Sequence, residues 1–389
     1  GPLTWVKAEI DLALGRAEQA LSEYQTGGDA TRLKFCRTHV HQVYGALSIV
    51  GLDGVTQVTE GLEALLLAIE EGRTNPQAAV DAELALGAIH TYLDDLIAGE
   101  PNQPLRLFPA HNALTLARGL PAANPAELLV DHALGLRWAD VPAAARERAI
   151  TFLHDSLAVG VAGVGAAHSD AVLAMAQGWG AGDQASVLGR KVRLPAASAA
   201  FVNAYQIHGQ EFDRVHEPAV LHPMATLLAA LLAEAERGAP VSGERFLTAI
   251  VAGVDGAVTL GLAAPGALKF FRPATAGIFG CVAGIAALRA MPREQALDAF
   301  GHALALVSGT MQAHLEGKPA LPVQVAAAAR NALVAVDLAR GGMSGVRDSL
   351  TGPFGYFPLM EVREELDAAI ALLAQGHRIT EVSWKPFPT

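Results

Sequence analysis

The densest chemistry in the chain lies near its middle. Three of the 13 histidines fall in one short stretch, His208-Gly209-Gln210-Glu211-Phe212-Asp213-Arg214-Val215-His216-Glu217, followed by Leu221-His222-Pro223. Acids and imidazoles packed this closely in an otherwise apolar region are costly to bury unless they are paired. Three readings stand side by side. The residues could ligate a metal through His and carboxylate, although their spacings match no helical His-x-x-x-His or other tight ligand pattern. They could do acid–base work, with neighbouring carboxylates setting the tautomer and charge of a histidine tuned near neutrality. Or they could be caps and salt bridges in a loop between two helices.

Further polar signals lie downstream. Lys269-Phe270-Phe271-Arg272-Pro273-Ala274-Thr275-Ala276-Gly277 sets two cations just ahead of a Gly/Ala-rich helical run. Orphan backbone N–H groups at a helix start, together with a guanidinium, make a good carboxylate receptor. His314-Leu315-Glu316-Gly317-Lys318-Pro319 is a polar island after an apolar helix and could add a second cation. Taken singly, each is equally well read as a solvated helix end. Near the start, His41-Gln42-Val43-Tyr44-Gly45 is followed by Gly51. His41 falls on the flank of a helix, Gly45 clears space one turn on, and Lys34 and Arg37 share its side. A phosphoryl group on His41 would meet open space and positive charge; the plainer reading is a half-exposed polar residue.

The elements that must position these groups are helical. Ile10, Leu14, Ala17, Leu21 and Tyr24 recur at spacings of three and four, which places them on one helical face. Leu33, Cys36, Val40, Val43, Leu47 and Val50 do the same on a second helix, Leu62, Leu65, Leu66 and Ile69 on a third, and Ala82, Leu86, Ile89, Leu93 and Leu96 on a fourth. Gly27-Gly28-Asp29, Gly51 with Asp53-Gly54, and Asn75-Pro76 separate them. Short connections favour an antiparallel bundle over residues 1–98. Five prolines then punctuate residues 99–130, which reads as a linker with one short helix near Ala113 to Arg118. From residue 131 to 389 Ala/Gly-rich helical runs predominate, opening at Asp140-Val141-Pro142, with Asp as cap and Pro in the first turn. A β-like segment, Ile379 to Trp384, closes the chain. The fold class expected is all-α.

Composition bounds the partners. Of 389 residues, 51% are hydrophobic and 17% charged, which excludes wholesale disorder. A net charge of −11 and no basic stripe argue against nucleic acid. The longest uncharged stretches, such as Leu194 to Gln210 and Pro273 to Leu288, fall short of the roughly 20 apolar residues of a spanning helix. They read as buried helices of a soluble domain, without membrane insertion. Two distant cysteines, Cys36 and Cys281, build neither a disulfide framework nor a CxxC site, so a cytoplasmic setting is expected.

Two resemblances follow. His41, Gly45 and Gly51, with Tyr44 at the lysine position, resemble the His-x-x-Lys-Gly motif of the histidine phosphotransfer (Hpt) domain. The fuller text, from Trp5-Val6-Lys7-Ala8-Glu9-Ile10 to Pro101-Asn102-Gln103-Pro104-Leu105-Arg106-Leu107-Phe108-Pro109, is similar to the N-terminal Hpt-like region of the chemosensory histidine kinases that govern type IV pilus motility. That likeness covers roughly residues 3 to 128, and in that family such regions are often degenerate interaction modules. Beyond it, Arg148-Ala149-Ile150 to Asp155-Ser156-Leu157-Ala158-Val159-Gly160, Ala200-Phe201-Val202-Asn203-Ala204, Glu211-Phe212-Asp213 with His222-Pro223, Arg272-Pro273-Ala274-Thr275-Ala276-Gly277 and Leu350-Thr351-Gly352-Pro353-Phe354-Gly355-Tyr356-Phe357 resemble the MmgE/PrpD family. That family includes 2-methylcitrate dehydratase and cis-aconitate decarboxylase.

The second resemblance implies a helical body with a smaller α/β lid, no metal or organic cofactor, a homodimer, and a lyase (dehydratase, decarboxylase or isomerase) acting on a small polycarboxylate. It implies His222 as the catalytic histidine, Glu211 and Asp213 as site acids, and Arg272 as a substrate anchor. Lys269, Lys318 and His216 complete the expected substrate-binding set, and His41 is the candidate phospho-acceptor. The run Glu211-Phe212-Asp213-Arg214-Val215 departs from the family's Asp-Phe-Asp-Asp-Thr. The chain stops at Thr389, about where the family's lid begins, so the lid is expected to be missing. Turnover without it should be weak or absent, since a closed lid excludes water and strengthens every electrostatic contact within. The alternative function is a non-catalytic signalling adaptor or phosphorelay module whose bundle docks a signalling protein.

Overall fold

The structure, a computed structural model, describes residues 2–120, 123–362 and 364–387. The chain divides into two compact units, residues 1–123 with 370–375, and residues 124–369 with 376–389.

In the first unit, α1 (Pro2–Gln25), α2 (Ala30–Val50), α3 (Asp53–Glu70) and α4 (Gln77–Ala98) form a bundle. The periodic apolar positions make its core: Ile10, Leu14, Ala17, Leu21, Leu33, Cys36, Val40, Val43, Leu47, Leu62, Leu65, Leu66, Leu86, Ile89 and Leu93 are buried, and Tyr24, Val50, Ile69 and Leu96 pack half-buried against them. Asp29 caps α2 by accepting from the Thr31 N–H at 2.9 Å. Gly51 ends α2 at φ 76°, a left-handed conformation that suits glycine.

The segment 99–130 is not the linker expected. Pro104–Leu107 is a 3₁₀ turn and α5 (Phe108–Ala117) a helix of the first unit, with Leu107 and Leu114 joining the bundle core. The second unit already begins with α6 (Pro125–Gly135). The reason is proline placement. Pro104, Pro109 and Pro125 all sit in the first turn of a helix, where a missing N–H costs no hydrogen bond. Proline density therefore marks helix starts here.

The second unit continues with α7 (Ala143–Ala162), α8 (Ser169–Gly178), a two-residue hairpin of β1 (Ala185–Ser186) and β2 (Arg193–Leu194), α9 (Ala196–His208), α10 (Pro223–Arg237), α11 (Gly243–Leu262), α12 (Arg272–Thr275), α13 (Gly277–Arg289), α14 (Arg293–Leu306), α15 (Gln312–Leu315), α16 (Leu321–Arg340), α17 (Tyr356–Met360) and α18 (Leu366–Leu372), the last crossing into the first unit. Asp140 does not cap α7, because Arg137 Nε takes its carboxylate at 2.6 Å. The helix starts at Ala143 after Pro142.

Small residues set the spacing of the inner helices. α11 packs on α13 and α9 on both α10 and α16. A Cβ on Gly280 would lie 2.6 Å from the Gly253 carbonyl oxygen, so α11 and α13 approach along a glycine seam. At Gly163, just after α7, a Cβ would lie 1.9 Å from the Gln206 carbonyl oxygen, which brings α7 hard against α9. The buried Gln206 side chain is satisfied there, donating to Gly160 O at 3.0 Å and Leu188 O at 2.9 Å.

Two expectations need correcting. Helices α11 and α16 are long and apolar enough, by length and composition, to cross a membrane; 78% and 56% of their apolar windows are buried within the fold. The uncharged-run reading missed them because each carries a charge in its interior, Asp255 in α11 and Arg330 in α16. The β-like segment 379–384 is a 3₁₀ turn, Arg378–Glu381, followed by a single bridge between Ser383 and Val215. One facing residue pair cannot make a ladder.

Candidate active site

The site grows from the end of α9. Residues 198–208 of that helix are buried, and His208 is its last residue. The chain then doubles back through a loop closed by His216 N–H to Leu221 O (2.8 Å) and Leu221 N–H to His216 O (3.2 Å). Pro223 opens α10 directly after His222. Two non-glycine residues in this loop hold left-handed backbone, Glu211 at φ 53° and the β-branched Val220 at φ 51°. Such strain persists only where surrounding contacts over-determine the conformation.

Asp213, fully buried, lies between two imidazoles. His208 Nδ1 contacts both its oxygens, at 3.1 and 3.0 Å. His222 Nδ1 lies 3.2 Å from Oδ2, near enough for a strong charge interaction but outside hydrogen-bond alignment. The two rings meet edge to face with centroids 4.9 Å apart, and Phe271 covers His208 at 6.1 Å. Burial alone would raise the Asp213 carboxyl. The charges of His208 and then His222, with the hydrogen bonds from His208, outweigh it and hold the group well below the ordinary carboxylate range. His208 Nε2 and His222 Nδ1 are buried without a hydrogen-bond partner. His208 is sealed, whereas the His222 side chain keeps 16% of its surface open. A proton placed on His222 Nδ1 would face Asp213 and leave Nε2 as the nitrogen with a free lone pair.

The other expected site residues are placed as follows. Glu211 is half-buried with Lys385 Nζ 3.5 Å from its carboxylate. His216 is buried, accepting from Ala219 N–H through Nδ1 (3.2 Å) and donating through Nε2 to Glu381 (2.9 Å). Arg272 is buried and engaged within the fold. Its Nε and Nη2 reach the two oxygens of Glu361 at 3.1 and 2.9 Å, and its Nη1 donates to Ala219 O at 3.2 Å. Tyr356 Oη donates to the same Glu361 at 2.8 Å. The Gly/Ala-rich helical run expected after Arg272 is present as the four-residue α12 followed by α13, with Arg272 at the start of α12. Lys269 and Lys318 are both exposed; Lys269 lies beside the Phe270–Thr310 bridge and its carbonyl accepts from Met311 N–H at 3.0 Å, whereas Lys318 lies beyond α15.

Sequence reasoning placed His208 in the cluster but gave it no role, although a signal was available: an imidazole at a helix end, five residues before the central acid. It also missed a second group, His132, Asp255 and His377. Asp255 Oδ2 accepts from His132 Nε2 (2.9 Å) and His377 Nδ1 (2.7 Å), and Oδ1 from Arg378 N–H (2.8 Å). Its members are more than a hundred residues apart, so no local pattern announces them. Both groups offer three ligand atoms within 4.8 Å of one another and are metal-capable by donor type. In the second, those atoms are spent on hydrogen bonds to each other.

In the first unit, 67% of the His41 side chain is exposed and its Nδ1 lies 3.1 Å from Glu63 Oε2. The Tyr44 ring stacks beside it at 6.0 Å. A Cβ on Gly45 would meet nothing, so the space beside the imidazole is open. The expected positive charge is partly offset: Arg37 and Lys34 both face the one carboxylate of Glu70, at 3.3 and 3.7 Å.

Residues 3–99 match the Hpt domain and residues 127–369 the MmgE/PrpD N-terminal domain. The chain is 32% identical over 257 residues to the cis-aconitate decarboxylase-like protein oryM of Aspergillus oryzae, covering 64% of this chain and 53% of that protein. It is 28% identical to cis-aconitate decarboxylase of Aspergillus terreus over 226 residues (56% of this chain, 46% of that protein). It is also 28% identical to cis-aconitate decarboxylase of Mus musculus over 251 residues (60% and 49%). The chain thus spans about half the length of the curated relatives it matches. With an Hpt domain at its N-terminal end and the family's helical domain over most of the remainder, the chain belongs to the MmgE/PrpD family.

Proposed function

We propose that the second unit carries the proton-transfer centre of a lyase acting on a small polycarboxylate of the cis-aconitate class. The observation that carries this is the buried Asp213 between two imidazoles, of which only His222 reaches the surface. His222 Nε2 is the acid–base atom. In a decarboxylation the C–C bond to the departing carboxylate breaks, CO₂ leaves, and the electron pair left on carbon takes the proton from the His222 imidazolium. In a dehydration the same nitrogen removes the proton next to a carboxylate as hydroxide departs. Asp213, kept ionised, orients the ring and stabilises its cationic form, the role a carboxylate plays beside a catalytic histidine. His208 holds Asp213 from the other side. Lys269 and Lys318 supply exposed cations for the substrate's acid groups, and Arg272, engaged with Glu361, supports the site loop through Ala219 O.

Incubation with aconitate- and citrate-type acids in heavy water tests this reading. Deuterium should enter at the carbon next to a carboxylate, and His222→Ala should abolish it. Exchange that survives unchanged in His222→Ala overturns the assignment.

For the first unit we infer docking rather than phosphotransfer. The observation favouring it is the Glu63 carboxylate 3.1 Å from His41 Nδ1, which sets negative charge directly beside the imidazole that would carry a phosphoryl group. An acid-labile phosphoryl label, gained from a histidine kinase and lost in His41→Ala, would reverse this reading.

A further inference from the structure

Residues 377–385 touch the site loop on both sides of Asp213. Val215 N–H donates to Ser383 O at 3.2 Å and Ser383 N–H to Val215 O at 2.8 Å. Glu381 accepts from His216 Nε2 at 2.9 Å and from Arg378 Nη1 at 2.5 Å. The Arg214 guanidinium lies over the Trp384 ring at 5.6 Å, and Trp384 packs edge-on against Phe152 of α7 at 5.1 Å. Lys385 Nζ lies 3.5 Å from Glu211. Residues 211, 214, 215 and 216 are thus all engaged by one stretch of chain.

That stretch is itself fastened to the helical core. Asp255, buried on α11, grips its beginning through His377 Nδ1 and Arg378 N–H, while His132 of α6 donates to the same carboxylate. We propose that residues 377–385 are a strap that positions Asp213 against His222, with Asp255 as its clasp and Glu381 and Ser383 as positioning residues. The catalytic consequence rests on the proton-transfer reading above; the mechanical one does not. The Asp213–His222 approach is a single 3.2 Å contact from a loop held in strained backbone, and a displacement of about 1 Å in such a pair can cost on the order of 100-fold in rate.

Glu381→Ala removes the acceptor of His216 Nε2, Glu381→Gln retains an acceptor oxygen, and Ser383→Pro removes the N–H donated to Val215 O. Amide hydrogen exchange read by NMR follows the strap, because the Val215 N–H bonds to Ser383 O. In Glu381→Ala and Ser383→Pro the Val215 amide should exchange at least about tenfold faster, while amides within α9 and α10 keep their protection. Substrate deuteration by these variants should fall on the order of 100-fold in kcat with little change in KM, and Glu381→Gln should recover most of it. Unchanged Val215 exchange in both variants overturns the strap. So does a kcat loss accompanied by deprotection of α9 and α10, which would be general destabilisation. If wild type fails to deuterate substrate, or His222→Ala deuterates it unchanged, the lyase reading fails, and Val215 exchange still decides the strap.

Discussion

Two groups of the second unit use the same three side chains, a buried aspartate between two histidines, and differ in what is left over. At Asp255 both carboxylate oxygens are taken, one by two imidazoles and the other by a backbone N–H. No side-chain atom of His132, Asp255 or His377 is among the buried polar atoms left without a partner in the described residues. At Asp213 one histidine is bonded, the other lies close but misaligned, and an imidazole nitrogen on each is buried without a partner. A fully satisfied buried network contributes rigidity, whereas orphaned polar atoms cost free energy and persist where something else requires them. On the function proposed above, the Asp255 group holds and the Asp213 group does chemistry.

The difference can be broken by exchanging the loss. His222→Ala should lower substrate deuteration by roughly 10²- to 10⁴-fold, the usual worth of a positioned acid–base group, and shift thermal unfolding by only a few degrees, since the ring is partly open. Asp255→Ala should do the reverse, costing about 3–5 kcal/mol of stability in urea unfolding because two imidazoles lose their buried carboxylate. If Asp255→Ala proved as stable as wild type, the assignment of the two groups would collapse.

Acid titration sharpens the contrast. Burial pushes the Asp255 carboxyl up, but hydrogen bonds from His132 and His377 outweigh it and bring it down to about 2. A depressed folded pKa stabilises the protein above the unfolded value near 4, and that contribution is lost as pH falls towards 2. Unfolding free energy should therefore drop by about 2 kcal/mol more in wild type than in Asp255→Asn across that window. Equal slopes would show that Asp255 is not the group responsible. The smallest effect belongs to the exposed contact of the first unit. Glu63→Gln, which removes the charge beside His41, should change stability by less than about 0.5 kcal/mol.

Legibility followed the range of the interactions. The bundle helices of the first unit were readable because a 3.6-residue period is local, and the expected apolar stripes are the buried ones. The Asp213–His222 pair was readable because both members lie in one loop. Glu361 as the partner of Arg272, Glu381 as the partner of His216, and the whole Asp255 group were not, since each joins residues 89 or more positions apart. Arg272 illustrates the cost: as a sequence it is a free cation before a helix, and in the fold it is buried against an acid nothing nearby announces.

The sequence by itself determined the helical class, the two-part division and the stretch where acids and histidines cluster, since periodicity, caps and clustered polar residues are properties of neighbours along the chain. The tertiary structure alone decided which acid meets which base. Whether a histidine is a clasp or a proton carrier depends on burial and on what satisfies its second nitrogen, and both are set by segments that meet only when the helices pack.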